Sequence, residues 1–124
     1  QVKRHHQPAS PPCVILSGGE TTVTVNQNFV GKGGRNSEFL LALAHYLDGE
    51  AGIAAIACDT DGIDGSEDNA GALMTPDLWQ QGHNAQHYLN THDSYSFFEA
   101  VGSLVVTGPT LTNVNDFRAI VVEA

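Results

Sequence analysis

The spacing of apolar residues changes several times along the chain, and each change marks a predicted element. Two continuous apolar runs, "CVILS" at 13–17 and "AGIAAIAC" at 51–58, are typical of strands buried on both faces. "ETTVTVNQN" at 20–28 alternates β-branched with polar residues, which favours a strand near a sheet edge. Three more extended segments are predicted at 70–74, 103–108 and 117–124.

Helical spacing appears first between 36 and 48, where apolar residues recur three and four positions apart. Asn36 or Ser37 can cap the start of this helix, and Gly49 follows its end. Further helices are predicted at 75–81, 84–91 and 94–101. Helices that alternate with apolar strands indicate an α/β fold, here a three-layer sandwich with a mixed, mainly parallel β-sheet.

The length of 124 residues suits one domain. Residues 1–12, "QVKRHHQPASPP", are polar and proline-rich and predict a linker or tail, so the domain is expected to occupy 13–124. No run approaches the ~18 apolar residues of a membrane span, and no secretion signal is evident. Cys13 and Cys58 are interpreted as buried, reduced thiols of a cytoplasmic protein.

The charge is strongly acidic, with a formal net value of −9 at pH 7. From residue 13 onward only Lys32, Arg35 and Arg118 oppose all 14 acidic residues. Such a surface repels phosphate backbones, so we expect no nucleic-acid binding and no membrane partner. Each of the three cations is therefore a candidate for a specific role.

The glycine-rich stretch "GKGGRNSE" at 31–38 opens the first long predicted helix. Backbone N–H groups at such a position can hold an anion, although the stretch matches neither the P-loop nor the dinucleotide fingerprint. Arg35 is suited to a carboxylate or a phosphoryl oxygen. The alternative is that Arg35 neutralises Glu38 or the acidic loop that follows, and the residues alone leave both open.

The acidic loop "CDTDGIDGSEDNAG" at 58–71 invites a calcium interpretation, but the EF-hand template fails. Counted from Asp59, Ile63 occupies the third ligand position and Asp64 the glycine position. Asp61 and Asp64 could instead face one Mg²⁺ or accept a proton from a substrate hydroxyl. A solvated acidic turn is the alternative.

A second polar loop, "TGPTLTNVND" at 107–116, offers hydroxyl and amide groups. These can orient a polyhydroxylated substrate or can cap one another as a rigid turn. Glu20 and Thr21, after a glycine pair, are open to the same two interpretations. Because the loops follow predicted strands, we expect them to converge at one edge of the sheet.

Five motifs, in this order, resemble one family: "LSGGETTVTV", "GKGGRNSEFLLALA", "TDGIDG", "DSYSFFEAVG" and "VVTGPTLTNVNDFR". They are similar to the MOFRL domain, the C-terminal domain of class II glycerate kinases (glycerate 2-kinases), which are also labelled hydroxypyruvate reductases. The resemblance covers 13–122. It implies ATP- and Mg²⁺-dependent phosphorylation of D-glycerate, in a cleft shared with a larger, Rossmann-like N-terminal domain that is missing here. A homodimer is also considered, and the fragment alone is expected to fold but to be inactive.

The resemblance also implies roles for the ambiguous residues. Arg35 and Asp61 are expected to be catalytic and to share one open rim, with Asp61 and Asp64 as Mg²⁺ ligands. Glu38 would brace the arginine loop together with Asn36. The substrate-binding set comprises Glu20, Thr21, Asn36, Asp64, Thr110, Asn113 and Asn115.

The chain departs from the family pattern at Asp59 and Leu111, where the resemblance predicts glycine. Asp59 adds a charge beside the acidic loop, and Leu111 is expected to loosen its turn. Two other functions are weighed against the kinase. One is an NAD(P)H-dependent hydroxypyruvate reductase, and the other is a non-enzymatic acidic module that binds Ca²⁺ or a partner protein.

Overall fold

The computed structural model describes residues 1–20, 22–24 and 31–124. Its helices and strands are α1 (Val2–His5), β1 (Cys13–Gly19), α2 (Arg35–Leu47), β2 (Ile53–Asp59), β3 (Gly71–Met74), α3 (Pro76–Gln81), α4 (Ala85–Asn90), α5 (Ser94–Ala100), β4 (Leu104–Val105) and β5 (Asp116–Val122). None of the helices in these ranges has the length and apolar character required to cross a bilayer.

The five strands form one sheet in the order β1-β5-β2-β3-β4, and every neighbouring pair is antiparallel. The prediction of a mainly parallel sheet is therefore wrong. The connection through α2 does return the chain so that β1 and β2 run in the same direction. However, β5 inserts between these two strands and runs against both. The apolar pattern predicts that a strand exists, but it does not show which strand becomes its neighbour.

One face of the sheet carries the hydrophobic core. Ala55, Ala57 and Ala72 lie on this face, and α2 packs over β2 and β3 with Leu40 and Leu41 fully buried. The small alanine side chains let the helix approach closely, and the leucines fill the space between them. Helices α4 and α5 pack against α2, and α5 also contacts β4.

The opposite face of the sheet is not covered by the helices described. Leu73 and Val121 on that face are 39% and 41% exposed, whereas Met74, which follows Leu73 on the core face, is 6% exposed. The prediction of a three-layer sandwich is therefore wrong for the part of the chain that the structure describes. A helical pattern shows that a helix has an apolar stripe, but not on which side of a sheet it packs.

Strand β1 differs from its prediction, because it is not buried on both faces. Val14 is 56% and Leu16 is 65% exposed, since β1 lies at the edge of the sheet beyond the region that α2 covers. The strand predicted at 20–28 is not seen at residues 20 and 22–24. The remainder of that prediction lies outside the described residues.

The start of α2 is held by a residue from another loop. Its N-cap is Gly34 without a side-chain cap, so the prediction of Asn36 or Ser37 as the cap is wrong. Asp64 instead accepts hydrogen bonds from the backbone N–H of Asn36 at 3.0 Å and of Ser37 at 2.8 Å, and from the Ser37 hydroxyl at 2.6 Å. A β-carbon at Gly34 would lie 2.4 Å from Asp64, so only glycine permits this approach. Asp64 is fully buried, and its negative charge complements the helix dipole.

Replacing Asp64 by Asn should destabilise the fold by about 2–4 kcal/mol, because one amide group cannot accept from all these buried donors. Chemical denaturation followed by circular dichroism measures the effect. Asp77→Asn, on the half-exposed first turn of α3, is the matched control and should change stability by less than about 0.5 kcal/mol. Equal effects of the two substitutions would contradict a capping role for Asp64.

Candidate functional site

The polar loops meet at one edge of the sheet, as the sequence predicts. Strands β1, β2 and β4 run in the same direction, so their carboxyl ends lie at this edge together with the first residues of β3 and β5. Across the edge, the Thr110 N–H donates to the Asp61 carbonyl at 3.1 Å. Alternate strands of an antiparallel sheet point the same way, so the convergence does not require parallel pairing. We call this region the polar edge.

Arg35, the first residue of α2, is bound by two buried carboxylates at the polar edge. Its Nη2 lies 2.7 Å from Asp59 Oδ2 and 2.9 Å from Asp116 Oδ1, and its Nε donates to Asp116 Oδ2 at 3.0 Å. The side chains of Asp59 and Asp116 are 5% and 0% exposed, whereas that of Arg35 is 26% exposed. Two carboxylates buried this deeply require a cation, and the planar guanidinium can satisfy both at once.

The protonation of this cluster follows from these contacts. The hydrogen bond that Arg35 donates to Asp116 raises the pKa of Arg35, against an opposing effect of burial, so the guanidinium stays charged. Burial raises the pKa of Asp59, although the Asp61 N–H and the charge of Arg35 act to lower it. The sequence leaves open that Arg35 neutralises the acidic loop at 58–71, and Asp59 belongs to that loop. In the fold Asp59 is a principal partner of Arg35.

Arg118 is a second buried cation, and the sequence predicts no particular role for it in the site. Its Nε donates to Ser17 Oγ at 3.0 Å, its Nη2 donates to the Gly18 carbonyl at 2.9 Å, and its Nη1 lies 3.8 Å from Asp116 Oδ2. The guanidinium also lies 5.3 Å from the centre of the Phe39 ring. Asp116 therefore lies between two guanidinium groups. The signal that could have indicated this role is a charged residue on the core face of a strand.

Asp61 is joined to Arg35 through Asp59. The Asp61 N–H donates to Asp59 Oδ1 at 3.1 Å, while Arg35 binds the other oxygen of the same carboxylate. Asp61 is half-buried, and its Oδ1 accepts from the Ile63 N–H at 2.9 Å. A side-chain hydrogen bond with Asp61 also acts to raise the pKa of Asp59, so the two carboxyl groups interact directly. Arg35 and Asp61 thus lie at the same edge, one carboxylate apart.

Asn36 and Asp64 lie behind this edge, in the interior. Both are fully buried, and Asn36 Nδ2 donates to Asp116 Oδ1 at 2.9 Å and to Asp64 Oδ1 at 3.2 Å. They connect the start of α2 to the carboxylate that holds Arg35. The substrate and metal roles predicted for them stay predictions, and the geometry is that of support. Among the described residues, no group of three or more His, Cys, Asp or Glu side chains is arranged to hold a metal.

The loop at 107–115 is docked on residues 60–62 and forms one wall of the polar edge. Thr110 Oγ1 donates to the Thr60 carbonyl at 2.5 Å, and the Asn115 carbonyl accepts from the Thr60 N–H at 3.0 Å. Asn113 Oδ1 accepts from the Asn115 N–H at 3.0 Å. Gly62 has φ +95, and a β-carbon there would lie 2.2 Å from the Gly108 carbonyl. The polar groups of this loop are thus used largely to build the turn.

An open cleft lies on the other side of Arg35. It is lined by Glu20, Thr22, Val23, Gly31, Gly33, Gly34, Arg35, Glu38, Ser66 and His92. Glu20 is largely exposed and 4.0 Å from Arg35 Nη2, and Glu38 lies 2.8 Å from His92 Nδ1. Thr21, which was predicted to bind substrate, lies outside the described residues.

The class to which this fold and site belong is clear from comparison with known proteins. Residues 13–116 match the model of the MOFRL family, and the chain belongs to that family. A D-glycerate 2-kinase of Thermotoga maritima is 40% identical over 120 residues, which is 94% of this chain and 28% of the relative.

Two further matches agree with this assignment. A protein of Agrobacterium vitis named "Putative hydroxypyruvate reductase" is 58% identical over 119 residues, covering 93% of this chain and 27% of the relative. The crystal structure of a T. maritima glycerate kinase superposes with a TM-score of 0.91 at 36% identity, covering 98% of this chain and 30% of that one. The chain therefore spans only about 30% of the length of the proteins it matches.

Replacing Arg35 by Met should destabilise the fold by about 2–4 kcal/mol at pH 7, because Asp59 and Asp116 lose their shared cation. The loss should be smaller at pH 4. Burial raises the pKa of Asp59 in the folded state, so stability attached to this group is present below the unfolded pKa and is lost as the pH rises through the folded value. Without Arg35 the folded-state pKa of Asp59 rises further. The stability lost by Arg35→Met therefore differs more between pH 4 and pH 7.

Urea denaturation at pH 4 and pH 7 measures this effect. Arg35→Lys keeps the charge and should lose less than half as much stability as Arg35→Met at pH 7. A penalty for Arg35→Met that is the same at both pH values would show that the ion pairs contribute little.

Replacing Leu111 by Gly should stabilise the fold by about 0.5–1 kcal/mol, because leucine adopts a left-handed conformation there at a cost of roughly 1–2 kcal/mol. Its φ is +61, and its side chain is 97% exposed, so no packing is lost. Leu111→Ala keeps the β-carbon and should bring no gain. Thermal unfolding of the two variants, compared with the parent chain, decides between backbone strain and side-chain exposure.

Proposed function

We propose that this chain is the C-terminal domain of a glycerate 2-kinase and contributes to the ATP-dependent phosphorylation of D-glycerate. In this proposal the reaction takes place in a cleft between the polar edge and a Rossmann-like N-terminal domain. The similarity to glycerate 2-kinases supports the activity, and the share of those proteins that this chain spans supports the need for a further domain.

The observation that carries the proposal is the guanidinium of Arg35, held at the side of an open cleft. Asp59 and Asp116 bind its Nε and Nη2, while its Nη1 makes no hydrogen bond with the residues described. One edge of the guanidinium is thus fixed, and the group lines the cleft. A fixed cation of this kind can bind the carboxylate of glycerate or the oxygens of the transferred phosphoryl group without reorganising.

The charge balance around Arg35 limits how strongly it attracts an anion. Asp59 and Asp116 oppose it, but Arg118 lies 3.8 Å from Asp116 and compensates part of that negative charge. The raised pKa of Asp59 reduces the opposing charge further when this group is protonated. In our proposal Arg118 keeps Arg35 available for an anion, and Asn36 and Asp64 hold the start of α2 in place.

Mg²⁺ in such a kinase needs few protein ligands, because it binds mainly water and phosphate oxygens with one or two carboxylates. Asp61 fits this requirement, since it is a half-buried carboxylate at the polar edge, separated from Arg35 only by Asp59. Asp64 does not fit, because it is fully buried and both its oxygens accept from α2. The bound metal would neutralise charge on the phosphates, and Asp61 would hold it or orient the glycerate hydroxyl.

A hydroxypyruvate reductase is the second candidate, because the A. vitis relative carries that name at 58% identity. The glycine-rich stretch that precedes α2 lacks the dinucleotide fingerprint. No group of three or more His, Cys, Asp or Glu side chains in the described ranges is arranged to hold a metal, so no observation favours a Ca²⁺-binding module. Oxidation of NADPH by hydroxypyruvate, followed at its absorbance maximum, separates reductase from kinase.

Arg35→Lys and Asp61→Asn, each in a full-length polypeptide that carries this domain, should lower kcat/KM for glycerate phosphorylation by roughly 10²–10³-fold. A coupled assay of ADP release measures the rate. Asp77→Asn, away from the polar edge, is the control and should stay within about twofold of the parent enzyme.

Melting temperatures of the same variants exclude simple unfolding as the cause. A folded Arg35→Lys enzyme with unchanged kcat/KM would remove Arg35 from the proposed mechanism. Absence of ATP-dependent turnover in the full-length parent, together with oxidation of NADPH by hydroxypyruvate, would replace the kinase by the reductase.

A further inference from the structure

The face of the sheet opposite the core is apolar throughout. The strand register places on this face Val14, Leu16, Gly18, Ala54, Ile56, Cys58, Gly71, Leu73, Val105, Phe117, Ala119 and Val121. No charged residue occupies a paired position there. We call this surface the outer face.

The larger side chains of the outer face are well exposed. Leu16 is 65%, Val14 56%, Phe117 44%, Val121 41% and Leu73 39% exposed. A sheet face that meets water normally carries polar residues at alternate positions, so its strands read apolar-in and polar-out. Here the outer face is apolar in addition to the hydrophobic core on the other face, which is the pattern of a sheet covered on both sides. Contiguous apolar patches of this kind mark interaction surfaces.

The paired positions of the outer face offer no charged side chain to a charged ligand. The one titratable group of this face is Cys58, and burial raises the pKa of that thiol to about 11, so it is neutral. An apolar layer of protein, such as the apolar stripe of helices, is the partner that matches this surface.

The similar proteins of known structure indicate where this apolar layer comes from. The T. maritima structure matches 98% of this chain, yet the match is only 30% of that protein, so most of its chain lies outside the matched part. A second copy of the present chain fits less well. Its formal net charge is −9, so a face-to-face pair would bring two strongly acidic bodies together.

We propose that the outer face is the docking surface for the additional polypeptide of a full-length glycerate kinase, which supplies an apolar layer over β1, β5 and β2. The inference rests on the proposed function only in assigning the domain to such a longer chain. The polar edge remains open in this arrangement, because its buried carboxylates lie on the core face at the ends of the strands. Docking and catalysis therefore use different surfaces.

Leu16→Lys tests the proposal in two settings, with Ala100→Lys, at an exposed position on α5, as the control. In the 124-residue chain both substitutions should change the melting temperature by less than about 2 °C, because both positions face water. In the whole D-glycerate 2-kinase of T. maritima, lysine at the position aligned with Leu16 should lower the melting temperature by about 5 °C or more. Lysine at the position aligned with Ala100 should change it by less than about 2 °C.

An unchanged melting temperature of the whole enzyme with lysine at the Leu16 position would overturn the proposal, whatever the isolated chain does. A 124-residue chain that sediments as a dimer, and that Leu16→Lys converts to a monomer, would make a second copy the occupant instead. Both measurements are independent of glycerate and nucleotide. Loss of the proposed kinase activity, with the expected melting temperatures, would therefore count against the function and not against the docking surface.

Discussion

The carboxylate of Asp64, buried against the first turn of α2, is the contact on which the polar edge depends. It binds the backbone of Asn36 and Ser37, so the loop after β2 and the start of α2 cannot move independently. The close approach requires glycine at position 34, where any β-carbon would meet Asp64. By holding Asn36 and Ser37, Asp64 also fixes the residue that precedes them, Arg35, over the ends of β2 and β5.

Around that fixed point the chain builds a network of buried charge. Asp116 accepts from Arg35 and Asn36 and lies near Arg118, while Asp59 binds Arg35 with one oxygen and the Asp61 N–H with the other. Networks of this kind are costly when incomplete and rigid when satisfied. Such rigidity suits the kinase activity proposed for the full-length protein, because phosphoryl transfer depends mainly on positioning and charge stabilisation. The loop at 107–115 completes the edge with turn-forming hydrogen bonds of its own.

The two faces of the sheet differ in what they carry. The core face carries alanines under α2 and ends in the carboxylates of the polar edge. The outer face is apolar and uncovered by the helices described. A domain that spans about 30% of its relatives can leave such a face for the rest of a longer chain, and the position of β1 at the sheet edge agrees with this view.

The sequence by itself determined the positions of most strands and helices, the family, and the convergence of the polar loops. Periodicity, glycines and caps are local signals, and the motifs that carry the resemblance are contiguous. Only the tertiary structure decided the rest. The insertion of β5 between β1 and β2 made the sheet antiparallel, and it brought Asp116 from the far end of the chain to Arg35, with Arg118 beside Asp116. The tertiary structure also made Asp64 a helix cap. The role of a carboxylate depends on which hydrogen-bond donors the fold brings to it, and sequence spacing does not encode those donors.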